Sequence, residues 1–227
     1  MLILGLTGSI GMGKSTAARG FRRLGLPVFD ADAGVHRLFR PGGAAVAPLM
    51  AAFGQAVPDL IAADGGINRK ALGGYVFDKP AELRCLEGIV HPLVQRDMNR
   101  FLKQRARLGY AMAVLDIPLL FEGRMWRHVD LTVCVTAPAF LQRQRVLARP
   151  GMTDRALGRI RAQQMPDSEK RRRADCVIQT GRHRGATFRA LQEVVRRAHT
   201  VPAQHWPPRR FVPTPPGYPV RRKLFDG

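Results

Sequence analysis

A glycine-rich segment near the start of the chain limits the possible folds more than any other feature. Residues 8–16 read G-S-I-G-M-G-K-S-T and match the pattern G-x-x-x-x-G-K-[S/T] of a phosphate-binding loop, which needs a strand before it and a helix after it. Residues 2–6 are apolar or glycine, and Ala17, Phe21 and Leu24 recur at helical spacing. The sequence therefore predicts a strand, a phosphate-binding loop and an amphipathic helix, in that order.

The residue types of this segment suit the chemistry of binding phosphates. Glycines let the backbone turn tightly with its N–H groups facing the anion, and the following helix adds its positive N-terminal end. The pattern predicts that Lys14 reaches the β- and γ-phosphates and that the Ser15 hydroxyl binds Mg²⁺. A glycine-rich turn with an incidental lysine is the alternative, and the full pattern in its context makes it the weaker one.

Four more short apolar runs follow, and each is bounded by polar or turn residues; they are residues 28–29, 112–115, 131–135 and 176–178. Helical patterns separate them, and strands that alternate with helices favour a parallel sheet. We expect an α/β fold with a five-stranded parallel sheet of the P-loop NTPase type, flanked by helices and carrying a helical substrate-binding insertion and a helical lid.

The spacing of the strands predicts where the insertion and the lid lie. Residues 33–110 are too many for one crossover and predict the helical insertion, in which Pro92 should break or kink a helix near His91. The core then comprises residues 1–32 and 111–200, with a lid at about 139–173. Residues 201–227 contain seven prolines and predict an extended, mostly disordered basic tail.

The predicted lid is strongly basic. Residues 139–173 hold ten basic and three acidic residues, and Arg145 and Arg149 share one helix face. Two helices joined at Pro150 and Gly151 are typical of a hinged lid that brings arginine to phosphate oxygens on closure. A solvated basic face is the alternative, and we assign residues 170–173 to it.

Carboxylates follow two of the predicted strands. Asp30 and Asp32 follow the second, at the edge of a parallel sheet where ligands bind. Beside a γ-phosphate, Asp32 could accept the proton of an attacking hydroxyl, and a helix N-cap is an equally weighted alternative. Asp116 ends the third strand in the usual form of a magnesium-supporting aspartate, with a cap or turn role as its rival.

Net charge and cysteine content indicate which kinds of ligand and which cellular compartment to expect. The net charge of +20 favours anionic ligands without choosing among them. Three cysteines without a CxxC pair argue against a disulfide framework or a cysteine-rich zinc site. The sequence shows no signal or spanning segment, so we expect a cytoplasmic protein without a membrane partner. Nucleic-acid binding is not expected, because the chain is 7% aromatic and shows no stacking platform.

Several segments together resemble the dephospho-coenzyme A kinases. They are the glycine-rich residues 5–16, D-A-D at 30–32, H-P-L-V at 91–94, D-I-P-L-L-F-E at 116–122 and the lid segment 142–149. The resemblance covers about the first 181 residues. The phosphate loop is widely shared, whereas its combination with the two aspartate segments is much more specific.

This resemblance implies transfer of the ATP γ-phosphate to the 3′-hydroxyl of dephospho-CoA, with Mg²⁺, by a monomer or weak homo-oligomer. It implies Asp32 as the base, Lys14 and Arg145 as stabilisers of the transferring charge, the insertion with His91 and Asp32 at the coenzyme, and Ser15 and Asp116 at the metal. The residues expected at ATP are Gly8, Gly11, Met12, Gly13, Lys14, Ser15, Thr16 and Arg149.

One segment departs from the family pattern, and two other functions stay open. The turn after the last strand, at residues 177–181, is shorter than in the family and lacks its asparagine, so it leaves the adenine contacts undefined. The alternatives are another small-molecule or nucleotide kinase of the same fold and, from the high charge, a nucleic-acid-binding P-loop ATPase.

Overall fold

The computed structural model describes residues 1–207 and contains the predicted parallel sheet. The strand order is β2-β3-β1-β4-β5, and β1 pairs in parallel with both β3 and β4. The strands are β1 (Leu2–Thr7), β2 (Val28–Asp30), β3 (Met112–Asp116), β4 (Leu131–Thr136) and β5 (Cys176–Gln179). The prediction of an α/β fold with five parallel strands is confirmed.

The three central strands owe their position to their continuous apolar sequences. Every residue of β1, β3 and β4 is buried, as expected for a parallel sheet covered on both faces. Helices pack on the faces of the sheet, and Phe21 of the first helix lies in the same apolar core as Leu4 and Val133. This burial gives the loop after β1 a rigid base.

Helices make up most of the remaining described chain. They are α1 (Lys14–Arg23), α2 (Ala31–Leu38), α3 (Val46–Phe53), α4 (Arg69–Val76), α5 (Pro80–Arg107), α6 (Ala139–Leu147), α7 (Asp154–Gln163), α8 (Asp167–Arg173) and α9 (Arg184–Ala198), with a short 3₁₀ helix at Met125–His128. Within residues 1–207, no helix has both the length and the apolar character needed to cross a bilayer.

The chain divides into two compact units. One combines residues 1–29 with the described residues from 105 onward, and the other comprises residues 30–104. The second unit is helical and has its own apolar core, in which Leu49, Phe53 and Leu72 are buried and Tyr75 meets Phe53 edge to face. This unit overlaps residues 33–110, where the sequence predicts a helical insertion.

The sequence predicts a break or a kink near Pro92, and a break is wrong, because α5 continues through this residue. Proline at position 92 cannot donate to the carbonyl of residue 88. Both Pro92 and Gly88 are exposed, so water can solvate that carbonyl, and buried Val90 and Met98 hold the helix on either side. Packing therefore outweighs the loss of one backbone hydrogen bond.

The basic segment 139–173 forms three helices rather than the predicted two. The joint between α6 and α7 lies at Pro150 and Gly151, as predicted, and Gly151 has a φ of +74°. Thr153 caps α7 by accepting from Ala156 N. Helix α8 follows within four residues of α7 and carries the basic run 170–173.

The prediction that residues 170–173 form a solvated face is wrong for Lys170. Its side chain is fully buried, and Nζ lies 2.8 Å from Glu122 Oε1 and donates to Pro118 O at 3.0 Å. A lysine can be buried at this depth because a carboxylate and a carbonyl satisfy its charge. The arginines at 171, 172 and 173 are exposed and pair with acids of the same helix.

The last described residues contact the sheet unit. Gln204 N and His205 N donate to Asp130 Oδ1 at 2.7 and 3.1 Å, while Ile3 N donates to Asp130 Oδ2 at 2.7 Å. These contacts extend past the predicted boundary at residue 200. The prediction of a disordered tail for residues 208–227 lies outside the described residues.

Candidate active site

The glycine-rich loop ends in a helix start whose N–H groups are left for a ligand. Gly13 is the N-cap of α1 with a φ of +89°, in the left-handed region, and no side chain caps the helix. The first N–H groups of a helix lack intrahelical acceptors, so those of Lys14 and Ser15 can bind an anion, which the helix dipole also favours. The ten-residue helix α1 thus begins as the sequence predicted.

Close packing explains why two positions of this loop are glycine. A Cβ on Gly8 would lie 2.5 Å from Val135 Cγ2 and 2.8 Å from Val135 O, and one on Gly13 would lie 2.7 Å from Thr180 Oγ1. These distances are shorter than atomic contact allows. The loop therefore lies directly against the ends of β4 and β5.

Lys14 and Asp116 form an ion pair at the base of the loop. Lys14 Nζ lies 2.8 Å from Asp116 Oδ1, and Asp116 is 2% exposed. The pairing of β1 with β3 sets Leu6 opposite Asp116, which brings the carboxylate to the level of the loop. The structure thus joins the phosphate-loop lysine to the aspartate at the end of β3, a contact that a cap or turn role would not require.

Arg145 is held against the loop by protein acceptors. Its Nη2 donates to Thr180 O at 2.8 Å, and its Nη1 lies 3.4 Å from Gly11 O. Two other lid arginines are placed differently: Arg143 pairs with exposed Asp154 at 2.7 Å, and Arg149 is exposed after α6. Of these three arginines, Arg145 is the one that contacts the loop.

Thr180 is a site residue that the sequence reasoning missed. It is 5% exposed, and its Oγ1 donates to Met12 O at 2.6 Å while its carbonyl accepts from Arg145. It directly follows β5, at the strand end where parallel sheets bind ligands. That position was the available signal in the sequence.

Two glutamines of residues 139–173, the predicted lid, also contact the loop and were not predicted. Gln142 Nε2 donates to Ile10 O at 2.8 Å, and Ile10 N donates to Gln164 Oε1 at 3.1 Å. Their sequence signal was weak, because a glutamine within a basic helical segment is ordinarily a surface residue. Helix α6 and the residue after α7 therefore hold both backbone polar groups of Ile10.

The remaining predicted residues belong to the unit of residues 30–104. Asp30 is the N-cap of α2 and accepts from Ala33 N at 2.9 Å. Asp32 is exposed in the first turn of that helix, so the capping alternative applies to Asp30 and leaves Asp32 for another role. His91 is exposed inside α5.

The donors near the loop suit a magnesium ion that is shared with phosphates. Ser15 offers a hydroxyl and Asp116 a carboxylate, both of them the hard oxygen ligands that Mg²⁺ prefers. Residues 1–207 contain no cluster of three or more His, Cys, Asp or Glu side chains that could hold a metal alone. Protein Mg²⁺ sites commonly use one or two carboxylates with substrate phosphates and water, so the residues fit the ion in that form.

Fold and site together define a P-loop kinase. The features that do so are the parallel sheet, the glycine-rich loop with its Lys14–Asp116 pair and the arginine-bearing helical segment. The sequence model of the dephospho-CoA kinases matches residues 2–184. The chain belongs to this family and is a kinase.

Curated relatives agree with this assignment, and a solved structure is similar to this chain. The dephospho-CoA kinase of Mesorhizobium japonicum is 52% identical over 181 residues, covering 80% of this chain and 88% of its own. That of Paramagnetospirillum magneticum is 56% identical over 171 residues, covering 75% and 78%. The crystal structure of TT1252 from Thermus thermophilus has a TM-score of 0.72 at 34% identity and covers 86% of this chain and 97% of its own.

A second solved structure is similar in fold. The dephospho-CoA kinase from Campylobacter jejuni has a TM-score of 0.65 and covers 86% of this chain and 95% of its own. Its sequence identity is 22%, so this likeness bears on the fold alone. The predicted family resemblance is confirmed by the family match and by the curated relatives.

Proposed function

We propose that this kinase transfers the γ-phosphate of ATP to the 3′-hydroxyl of the dephospho-CoA ribose and so makes coenzyme A. The family match across residues 2–184 carries the proposal. The intact phosphate loop supports it, because that loop has the chemistry to hold the phosphoryl donor. The step breaks the bond between the γ-phosphorus and its bridging oxygen, forms a bond to the 3′-oxygen, and releases ADP and a proton.

The loop residues are proposed to bind the triphosphate. The N–H groups of Gly11, Gly13 and Lys14 would face the phosphates, with Gly8, Met12, Ser15 and Thr16 completing the loop. Lys14 and Arg145 would stabilise the charge that spreads over the phosphoryl oxygens in a loose transition state. The contacts of Arg145 with Thr180 O and Gly11 O support its role, because they fix the guanidinium beside the loop. Arg149, exposed after α6, is proposed to reach ATP from the lid.

We assign Mg²⁺ to the ATP phosphates, with Ser15 and Asp116 as its nearest protein groups. When bound, the ion supplies positive charge to the phosphoryl oxygens. Asp116 is joined to Lys14, so the carboxylate also positions the lysine. By binding Mg²⁺ and by positioning Lys14, Asp116 would keep positive charge fixed at the loop before the reaction. The charged groups then need not rearrange at the moment of transfer.

Asp32 is proposed as the base that orients the 3′-hydroxyl and accepts its proton. Asp30 supports this choice, because it already caps α2 and leaves Asp32 exposed. A carboxylate suits the task, because a loose transition state needs the hydroxyl aligned more than fully deprotonated. The unit of residues 30–104, which includes exposed His91, is the proposed coenzyme-binding region.

The compartment and the assembly state are proposals as well. All three cysteines, at 85, 134 and 176, are free, and burial raises the pKa of the Cys134 thiol to about 12. Thiols in this state support a reducing cytoplasm. We propose a monomer or weak homo-oligomer with dephospho-CoA as its substrate.

A panel of phosphate acceptors tests the substrate. The purified protein with ATP and Mg²⁺ is given dephospho-CoA, shikimate, nucleosides or nucleoside monophosphates, and ADP release is measured at steady state. We expect kcat/KM for dephospho-CoA to exceed the others by at least about a hundredfold, because a site built to pair with a substrate rejects compounds that leave its polar groups unpaired. A stronger preference for another acceptor would reject the substrate while leaving the kinase assignment intact.

A further inference from the structure

Gln142 has an unusual position for a glutamine in a basic helix. It lies on α6 and is 1% exposed. Its Nε2 donates to Ile10 O at 2.8 Å, whereas its Oε1 is buried and has no hydrogen-bond partner. This contact fixes the orientation of the Gln142 amide. The carbonyl oxygen of Ile10 can only accept a hydrogen bond, so the NH₂ group of Gln142 must face it.

This arrangement does not suit a residue kept for stability. A buried acceptor without a partner loses its hydrogen bonds to water and regains none. The hydrogen bond to Ile10 O offsets this loss at best. A methionine of similar length would fill the same space without the unpaired oxygen.

The geometry of the peptide bond shows what the contact with Ile10 O controls. The carbonyl of Ile10 and the N–H of Gly11 belong to one planar peptide unit, and in a trans peptide they point in opposite directions. A donor that fixes the oxygen on the lid side therefore fixes the Gly11 N–H toward the other side. Gly11 has a φ of +76°, in the left-handed region that glycine adopts without steric cost.

A second glutamine binds the other polar backbone group of Ile10. Ile10 N donates to Gln164 Oε1 at 3.1 Å, so both polar backbone groups of this residue bind side chains of the lid segment. Val146, one turn after Gln142, lies against the same loop, since a Cβ on Gly11 would come within 2.7 Å of its Cγ2. The loop conformation thus depends on α6 at the position where phosphate N–H donors are needed.

We propose that Gln142 is a positioning residue for ATP: its amide holds the Ile10–Gly11 peptide so that the Gly11 N–H faces the triphosphate. The inference rests on the ATP half of the proposed function and is independent of the acceptor. Gln142 acts through the loop backbone and does not itself touch the nucleotide. Its loss should weaken ATP binding while leaving the folded state as stable as before.

Two substitutions test this role. Gln142→Met removes both the donor and the unpaired oxygen, and we expect the Kd for Mg·ATP to rise about tenfold, the equivalent of one well-placed hydrogen bond. The Tm should stay within about 3 °C of the unmodified protein. Gln142→Glu keeps the shape but cannot donate when ionised, so its weakened ATP binding should recover as the pH falls and the buried carboxyl takes up a proton.

Val194→Ala is the matched control. Val194 is 6% exposed in α9 and belongs to the sheet core, so its truncation should lower the Tm with little change in the Kd for Mg·ATP. Titration calorimetry with Mg·ATP and thermal unfolding are run on all four proteins without an acceptor.

The outcomes separate the inference from the proposed function. Wild-type affinity in Gln142→Met, or a loss of affinity accompanied by a fall in Tm as large as that of Val194→Ala, would overturn the role of Gln142. A pH-independent defect in Gln142→Glu would also contradict it. If the unmodified protein binds no Mg·ATP, the proposed function fails together with the inference.

Discussion

Lys14 Nζ lies 2.8 Å from Asp116 Oδ1, so the phosphate loop is tied to the end of the central strand β3 by an ion pair. The side chain of Asp116 is 3% exposed and that of Lys14 is 17% exposed. A pair this protected from water is only weakly screened by salt. It holds the lysine ammonium at the loop before a triphosphate arrives.

Replacing Lys14 with alanine should impair both ATP affinity and rate. The change removes a cation that would touch the phosphates in the ground state and in the transition state, so KM for ATP should rise and kcat should fall by at least about a hundredfold. It also removes the cation that pairs with the buried Asp116 carboxylate, which should lower the free energy of unfolding.

The double variant Lys14→Ala with Asp116→Asn separates these two effects. It should recover most of the stability, measured by urea unfolding, without recovering kinase activity. Recovery of activity along with stability would mean that Lys14 serves the fold alone.

Asp32→Asn should retain ATP binding and lose turnover by about 10²–10⁴-fold, the usual contribution of a general base. Asp30→Asn is the matched control. Asparagine is as good an N-cap as aspartate, so the cap on Ala33 N survives and activity should remain. Comparable kcat values for Asp32→Asn and the unmodified enzyme would remove Asp32 from the chemistry.

Arg145→Ala should lower kcat by about a hundredfold, because a fixed cation at the transferring phosphoryl group is lost. Arg143→Ala serves as its control, since that arginine pairs with exposed Asp154 and surface pairs contribute little. Single-turnover measurements at saturating ATP separate the chemical step from binding. Equal defects in both variants would indicate a general effect on the lid helix and count against a specific role for Arg145.

Lys170→Met should lower the free energy of unfolding by about 3–5 kcal/mol, because it leaves the Glu122 carboxylate without its buried cation. One Glu122 oxygen is already buried without a partner, which limits its capacity to compensate. Adding Glu122→Gln should restore part of the loss in urea unfolding experiments. Arg172→Met, at an exposed position of the same helix, should change little; a similar small effect for Lys170→Met would show that its burial is unimportant.

Asp130 should make stability depend on acid pH. Burial alone would raise the pKa of this carboxyl, but hydrogen bonds from the His205 ring and from the N–H groups of Gln204 and Ile3 outweigh it and hold the pKa below its ordinary value. A depressed pKa in the folded state contributes stability above the pKa of the unfolded state, about 4. That contribution is lost as the pH falls through the folded-state value.

The measurement is the free energy of unfolding in urea between pH 7 and the acid range. The unmodified protein should lose stability more steeply below about pH 4 than Asp130→Asn, which has no carboxyl to titrate. Parallel pH profiles for the two proteins would contradict this role of Asp130.

The sheet could be predicted from the sequence because each strand contains a short apolar run. All five strands lie where the runs indicate, and the phosphate loop lies between β1 and α1. The central strands β1, β3 and β4 need little long-range information, since burial on both faces dictates their composition. Lys14 could be predicted from local sequence as well, because its motif forms a phosphate-binding loop between a strand and a helix.

Residues whose position depends on tertiary packing could not be predicted in this way. The spacing of the lid arginines did not distinguish Arg145 from Arg149, because contact with the loop depends on how α6 lies against it. Lys170 belongs to a basic run whose local pattern favours solvent, and its burial follows from Glu122, far away in the sequence. Pro92 breaks most helices, but the packing of α5 outweighs this preference.

The most direct test of the central claim is the position of the transferred phosphate. The purified protein is mixed with ATP, Mg²⁺ and dephospho-CoA, and the product is examined by phosphorus NMR and mass spectrometry. The account predicts one added phosphate, esterified to the 3′-oxygen of the ribose, and its formation about 10²–10⁴-fold more slowly with Asp32→Asn. Hydrolysis of ATP without such a product, or phosphate on another oxygen, would contradict it.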